Sequence, residues 1–353
     1  MNSTNRGGGR SRKATRRSGP TTRSSTVIAP NPGVRSPVLV TGAAGFVGSH
    51  LIDLLLDEGQ SVDAWYRPGT DTGPPREQPD RVRWRGVDIL DAGAVSAALA
   101  ENRPATVFHL AGAADVGSSW DQTYDTLATN VRGTHTLCEA VRHTGLAPTL
   151  LITGSAMVYG PSASALSEEA PLGPTNPYAV SKLAQEQLGA RFAAEDGCRV
   201  VLPRAFNHIG IRQSPSFAAA SFASRIASIE AAEVEPTIDV GNLQAKRDIT
   251  DVRDTVRAYR ALAERGASGR VYNVCSGHAR SIQEVLDGLI ALARVEVTVR
   301  VDPARIRPSD TPLVLGDPTR IESEIGWAPS VPFKQTLSDL LDHWRHATSV
   351  ARS

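Results

Sequence analysis

A glycine turn constrains this chain more than anything else in it. Val38-Leu39-Val40-Thr41 runs apolar into Gly42-Ala43-Ala44-Gly45-Phe46-Val47-Gly48, and Leu51, Ile52, Leu54, Leu55 and Leu56 follow at helical spacing. The pattern predicts a strand, a tight turn and a helix in immediate succession. Gly42 permits the turn, Gly45 lets backbone N–H groups approach a pyrophosphate, and Gly48 lets the helix pack close to the strand. Gly42, Gly45, Phe46, Val47 and Gly48 are therefore the expected contacts of a dinucleotide. An ordinary strand-to-helix connection uses the same glycines, so the rest of the chain must decide.

Ser61-Val62-Asp63-Ala64-Trp65-Tyr66 reads as a second strand, with Arg67 directly after it. An acid at that strand end accepts from ribose hydroxyls and selects NAD, whereas an arginine suits the 2′-phosphate of NADP. Asp63 lies inside the strand, so Arg67 favours NADP(H), with NAD(H) the alternative. Residues 81–91 read as a third strand ending in acids, with Asp88 and Ile89 expected against the cofactor. A helix over 92–102 leads to Thr106-Val107-Phe108-His109, which opens into Leu110-Ala111-Gly112-Ala113. Small residues there let backbone pack against a cofactor at Leu110, Ala111 and Ala113, while His109 reads as a core histidine. Helical periodicity from Thr123 to His143 precedes a fifth strand at 149–153. Repeated strand–helix alternation implies an α/β, Rossmann-type doubly wound parallel sheet with right-handed crossovers.

The chain has 353 residues, 41% of them hydrophobic, enough for one large α/β domain with a smaller lobe. No apolar run reaches the roughly 18 residues of a membrane span, so a soluble protein without membrane partners is expected. Cys138, Cys198 and Cys275 are far apart and lack metal-ligand spacing, which suggests reduced thiols in a cytoplasm and no metal. Residues 1–36 carry eight basic residues and no acid, leaving the remainder at −7. That acidic body has no basic footprint for nucleic acid. The Gly-, Ser-, Thr- and Pro-rich leader is expected to be disordered. Arg16-Arg17 is followed by no apolar stretch of an export signal.

The chemistry-bearing residues follow the fifth strand. Gly154-Ser155-Ala156-Met157 stands at its carboxyl end, where open α/β sheets bind ligands. Pro174-Thr175-Asn176-Pro177-Tyr178-Ala179-Val180-Ser181-Lys182 opens a helix running to about Ala194, and Tyr178 and Lys182, four apart, share one face of it. A tyrosine is a poor acid or base at pH 7, since its reference pKa is about 10. A cation about 4 Å away, worth about 4 kcal/mol at an effective dielectric near 20, is expected to bring it towards working pH. The chain uses 34 arginines and four lysines, so Lys182 stands where a compact point charge was kept.

In this order these residues resemble the extended short-chain dehydrogenase/reductase family of nucleotide-sugar enzymes, over residues 37 to about 346. The resemblance implies a catalytic triad of Ser155, Tyr178 and Lys182, with Lys182 also bonding the nicotinamide ribose. Arg204-Ala205-Phe206-Asn207-His208-Ile209-Gly210, Val240-Gly241-Asn242-Leu243-Gln244-Ala245-Lys246-Arg247-Asp248, Tyr272-Asn273-Val274-Cys275-Ser276-Gly277 and Arg307-Pro308-Ser309-Asp310 look like GDP-4-dehydro-6-deoxy-mannose reductases and the neighbouring GDP-mannose 4,6-dehydratases. A GDP-linked sugar site is implied, with Asn207 and Arg247 on the diphosphate, Arg307 and Asp310 on the guanosine ribose, and Arg225 as a further contact. Arginine forks match phosphate oxygens, and a carboxylate accepts from ribose hydroxyls. The dehydratases carry a glutamate two positions after the triad hydroxyl; Met157 stands there and cannot move a proton. The implied reaction is reduction of a C4 ketone by NADPH, with a 4-epimerase holding NAD, or a non-catalytic dinucleotide sensor, as the competing readings. The family also implies a homodimer. The expected division is a cofactor domain at 37–205 with returns at about 240–275, a substrate lobe from about 206–239 and 276–335, and a C-terminal helix and tail.

Overall fold

The computed structural model describes residues 37–69, 73, 80–195, 197–305 and 311–351. The basic leader, Arg307 and Asp310 lie outside the described residues. The first half alternates as expected: β1 (Val38–Thr41), α1 (Phe46–Asp57), β2 (Val62–Tyr66), β3 (Val82–Gly86), α2 (Ala92–Asn102) and β4 (Thr106–His109). Then come α3 (Thr123–Leu127), a π-helical segment (Ala128–Arg132), α4 (Gly133–Thr144), β5 (Thr149–Ile152), β6 (Gly154–Ser155) and α5 (Pro177–Glu195). The second half adds β7 (Val200–Ala205), β8 (Asn207–Ile209), α6 (Ala218–Glu230), β9 (Thr237–Val240), β10 (Lys246–Asp251) and α7 (Val252–Arg265). It closes with β11 (Val271–Val274), β12 (Ala279–Ser281), α8 (Ile282–Ile290), β13 (Thr298–Val301), β14 (Leu313–Val314), α9 (Thr319–Ile325) and α10 (Phe333–Ala351).

The large sheet has the order β11-β7-β5-β4-β1-β2-β3, with β6 continuing beside β7, and its pairings are parallel. Strands such as β1 and β5 read as short apolar runs because helices cover both faces of the sheet. Leu51, Leu55, Val256 and Leu262 pack on one face, and Val95, Leu99, Leu137 and Val141 on the other. A third core lies apart, where Ala223 and Ile226 of α6 meet Leu286 of α8 and Leu340 of α10. The sheets beside it are β12-β10-β14, joined by β8, and the pair β13-β9.

Two sequence expectations need correction. The return to the large sheet was expected from about residue 240, but β10 pairs with β8, β12 and β14, so the chain rejoins the large unit only at α7. Its alternating, half-polar sequence suits a small mixed sheet better than a doubly covered parallel one. Periodicity likewise predicted one regular helix from Thr123 to His143, but the π-helical segment interrupts it. The extra residue turns Asn130 fully inward. Its Oδ1 accepts from Ala113 N at 2.8 Å, and its Nδ2 donates to the Ser181 hydroxyl at 2.8 Å.

A polar tie joins α1 to the loop after β8. His50 Nε2 donates to the Ile211 carbonyl at 2.9 Å, while its Nδ1 accepts from Arg212, which also pairs with Asp53 at 2.5 Å. Burial, with the Arg212 charge acting in the same direction, pulls the His50 pKa down to about 4. Between about pH 6.5 and 4 the unfolded chain therefore binds a proton that the folded chain refuses, and stability falls on acidification. His50→Gln should remove on the order of 2 kcal/mol of the stability lost between pH 7 and 5, read from urea midpoints of parent and variant at both pH values.

Candidate active site

The glycine turn is closed by backbone. A Cβ at Gly42 would lie 2.7 Å from Ala111 N, and one at Gly48 would lie 2.3 Å from the Gly42 carbonyl oxygen. Gly42 also has φ +68, which favours glycine. The N-cap of α1 is Gly45, which has no side chain to cap the helix, so the orphan N–H groups of the first turn face the cavity that Phe46, Val47 and Gly48 line. The cavity has a volume of about 590 Å³. Arg67, Asp88, Ile89, Leu110, Ala111 and Ala113 line it too. A cradle that a Cβ would fill, open N–H groups and an arginine at the end of β2 fit an NADP dinucleotide.

Ser155, Tyr178 and Lys182 line the same cavity from the other side of the sheet's carboxyl edge. β6 carries Ser155, whose hydroxyl accepts from Met157 N at 3.2 Å. α5 begins where it does because Pro177 has no N–H to lose and the Asn176 side chain caps Ala179 N at 2.8 Å. That start puts Tyr178 and Lys182 at the cavity, half-buried and buried respectively.

The charge state of this pair differs from the sequence expectation. Burial raises the Tyr178 pKa, with its hydrogen bond to Ser155 acting the other way. Burial also pulls Lys182 down to about 7, against the pull of Glu186. The reason is desolvation, which disfavours charge on either partner and which a pairwise Coulomb argument omits. The phenol of the free site is thus held in its proton-bearing form.

At the substrate end Asn207 and Arg247 line the cavity. Arg247 Nη1 donates to the Thr311 carbonyl at 2.7 Å. Arg225 is not brought to the cavity; its guanidinium donates to the carbonyls of Thr237 and Glu235, so helical position alone misplaced it. Sequence reasoning also passed over three lining or supporting groups. Gln213 lines the cavity, and its buried Oε1 has no hydrogen-bond partner among the described residues. Tyr259 of α7 brings a second buried phenol near Tyr178. Gln185 is buried one turn beyond Lys182 and bonded to it. Only Gln185 left a signal in the sequence, as a polar residue on the inward face of α5.

Comparison with known proteins gives one consistent result. The family model described as GDP-mannose 4,6 dehydratase matches residues 39–340. The chain is 36% identical to a GDP-6-deoxy-D-mannose reductase of Pseudomonas aeruginosa over 310 residues, covering 87% of this chain and 96% of the relative. It is 29% identical to a UDP-glucose 4-epimerase of Bacillus subtilis over 337 residues, covering 88% and 97%. Among solved structures, the RMD protein from Pseudomonas aeruginosa complexed with NADPH superposes with a TM-score of 0.77 at 33% identity, covering 88% of this chain and 99% of that one.

Arg225→Ala should lower the melting temperature while leaving the affinity for GDP, by calorimetric titration, within about twofold of the parent. The loss corresponds to two backbone-directed hydrogen bonds of about 1 kcal/mol each.

Proposed function

We infer that this chain, which belongs to the GDP-mannose 4,6-dehydratase family of extended short-chain dehydrogenases/reductases, reduces the C4 ketone of a GDP-4-keto-6-deoxyhexose with NADPH. The observation that carries the reading is one cavity lined by the glycine turn, Arg67, Ser155, Tyr178 and Lys182, with Met157 where a dehydratase needs a proton-transferring carboxylate. The 36% identity to a GDP-6-deoxy-D-mannose reductase supports the nucleotide and the direction of reaction. The cofactor domain is assigned to the large sheet with α7 and β11. The substrate lobe is assigned to the smaller sheets with α6, α8 and α10.

In the proposed mechanism the chemistry that bound NADPH would supply is the hydride that reduces C4. Tyr178 gives its phenolic proton to O4 as the carbonyl becomes an alcohol, and the Ser155 hydroxyl donates a hydrogen bond to the same oxygen. The Lys182 ammonium stabilises the tyrosinate left behind and would hold the nicotinamide ribose. The raised Tyr178 pKa suits this direction, since an acid must arrive protonated. Gly42, Gly45, Phe46, Val47 and Gly48 would hold the pyrophosphate, and Arg67 would meet the 2′-phosphate. Asn207 and Arg247 hold the sugar diphosphate, with Arg307 and Asp310 assigned to the guanosine ribose by the family resemblance.

Trp120, Tyr124 and Val180 expose large apolar side chains on or beside α3 and α5, which pack together, and we assign this face to a homodimer. Cys138, Cys198 and Cys275 are buried, in keeping with a reducing, cytoplasmic compartment.

Tyr178→Phe should cut kcat by about 10²–10⁴, the usual worth of general acid catalysis. Undiminished turnover would remove Tyr178 from the role. Incubation with GDP-4-keto-6-deoxymannose and NADPH should yield the GDP-6-deoxyhexose, identified by NMR. Protein that purifies with stoichiometric NAD and leaves NADPH untouched would identify an epimerase instead. Arg67→Ser should raise KM for NADPH about 10- to 100-fold and hardly change KM for NADH, as expected for one charge-assisted contact.

A further inference from the structure

We propose that Gln185 is a positioning residue for Lys182: through a buried row of hydrogen bonds reaching back to the glycine turn, it holds the ammonium at the cavity and keeps it charged. The inference rests on the reading of Tyr178 and Lys182 as the proton-donating pair.

Gln185 is fully buried, and Lys182 Nζ donates to its Oε1 at 2.5 Å. The sense of that amide is fixed by what lies behind it. Gln185 Nε2 donates to Thr134 Oγ1 at 2.8 Å, and the Thr134 hydroxyl gives its own hydrogen to the Asn130 carbonyl at 2.7 Å, within the π-helical segment. Thr134 Oγ1 can then only accept from His109 Nε2, at 2.9 Å, so that nitrogen carries the proton. His109 Nδ1 is left to accept from the Thr41 hydroxyl at 2.9 Å, and Thr41 Oγ1 accepts from Ala111 N at 3.1 Å. Every hydrogen from Ala111 to Lys182 is thereby assigned. No member can turn over without setting two acceptors or two donors against each other. His109 is neutral, since burial and the Lys182 charge pull its pKa down to about 3.

An amide oxygen accepts and cannot donate, so Gln185 favours the ammonium over the neutral amine. Burial works against it and brings Lys182 down to about 7. The other ionisable groups around Lys182 are Tyr178 and Glu186 on its own helix and His109 on β4, with Arg204 of β7 paired to Glu186 and Tyr259 of α7 near Tyr178. Glu186 is the anion among them, and Arg204 neutralises it through a bidentate pair at 2.7 and 2.8 Å. Asp125 on α3, Arg132 in the π-helical segment and His135 on α4 are exposed to water. An uncharged acceptor at 185 therefore supplies a bias that no nearby net charge provides.

The chain's four lysines, Lys13, Lys182, Lys246 and Lys334, make the test direct. Lysine labelled with ¹³C at Cε in the full chain gives four resonances, and Lys182→Arg identifies the one from position 182. Gln185→Met removes the acceptor at similar volume. The Lys182 resonance should then titrate about one pH unit lower than in the parent, the worth of one hydrogen bond to a charged group. Gln185→Glu keeps an acceptor and should titrate at or above the parent. Identical titration in parent and Gln185→Met would overturn the proposal. If Gln185→Met does not fold, Thr134→Val frees the amide that Thr134 fixes; it should shift the titration the same way by less, and no shift there overturns the proposal equally. This readout needs no substrate. The basic limb of kcat/KM should move down with it, and a resonance that moves without that limb would count against Tyr178 and Lys182 as the pair, leaving the Gln185 contact standing.

Discussion

The contact on which the rest depends is backbone against backbone. At the start of α1 a helix, a strand end and the loop after β4 come so close that a single methyl at Gly48 would fall 2.3 Å from the Gly42 carbonyl. Close packing of main chain at the sheet's carboxyl edge is what opens the helix N-terminus to an anion. It also sets the distance from that anion to the ends of β4, β5 and β6, where the remaining lining residues sit. The cores on both faces of the sheet hold those strand ends in register. Core and cavity are thus two results of one arrangement, which is why apolar periodicity and functional residues alternate so regularly along the first half of the chain.

Burial sets the electrostatics of the site. Desolvation raises the phenol and lowers the amine, so neither Tyr178 nor Lys182 has the charge behaviour of its free amino acid. Each is answered by hydrogen bonding rather than by a strong neighbouring net charge: Ser155 on one side, Gln185 on the other. The buried ion pair of Arg204 with Glu186 is internally neutral.

Much of the fold was legible because parallel strands covered on both faces must be short apolar runs, and the helices between them announce themselves by period and by caps such as Asn176-Pro177. That Ser155, Tyr178 and Lys182 line one cavity was legible for a simpler reason: they stand at a strand end and a helix start, which sequence punctuation marks. Other features were not. Nothing in Leu127-Ala128-Thr129-Asn130-Val131 signals a π-helical segment, because the residue it adds is accommodated by tertiary bonds from Asn130 to Ala113 and Ser181. The membership of β10 depended on partners far along the chain. Arg225 was placed by helix position, whereas its direction was decided by carbonyls left open at the start of β9. Charge states were the least legible, since burial is a property of the folded whole.

Arg212 has φ +67, a backbone conformation that costs a side-chain-bearing residue about 1–2 kcal/mol relative to glycine. Its guanidinium reaches His50 and Asp53 in the middle of α1, the helix whose first turn lines the cavity. A glycine at 212 would relax the backbone and cut the tie. The strained residue is therefore a cross-brace: one side chain fastens the loop leading to α6 to the middle of α1, and the two segments it joins lie about 160 positions apart along the chain.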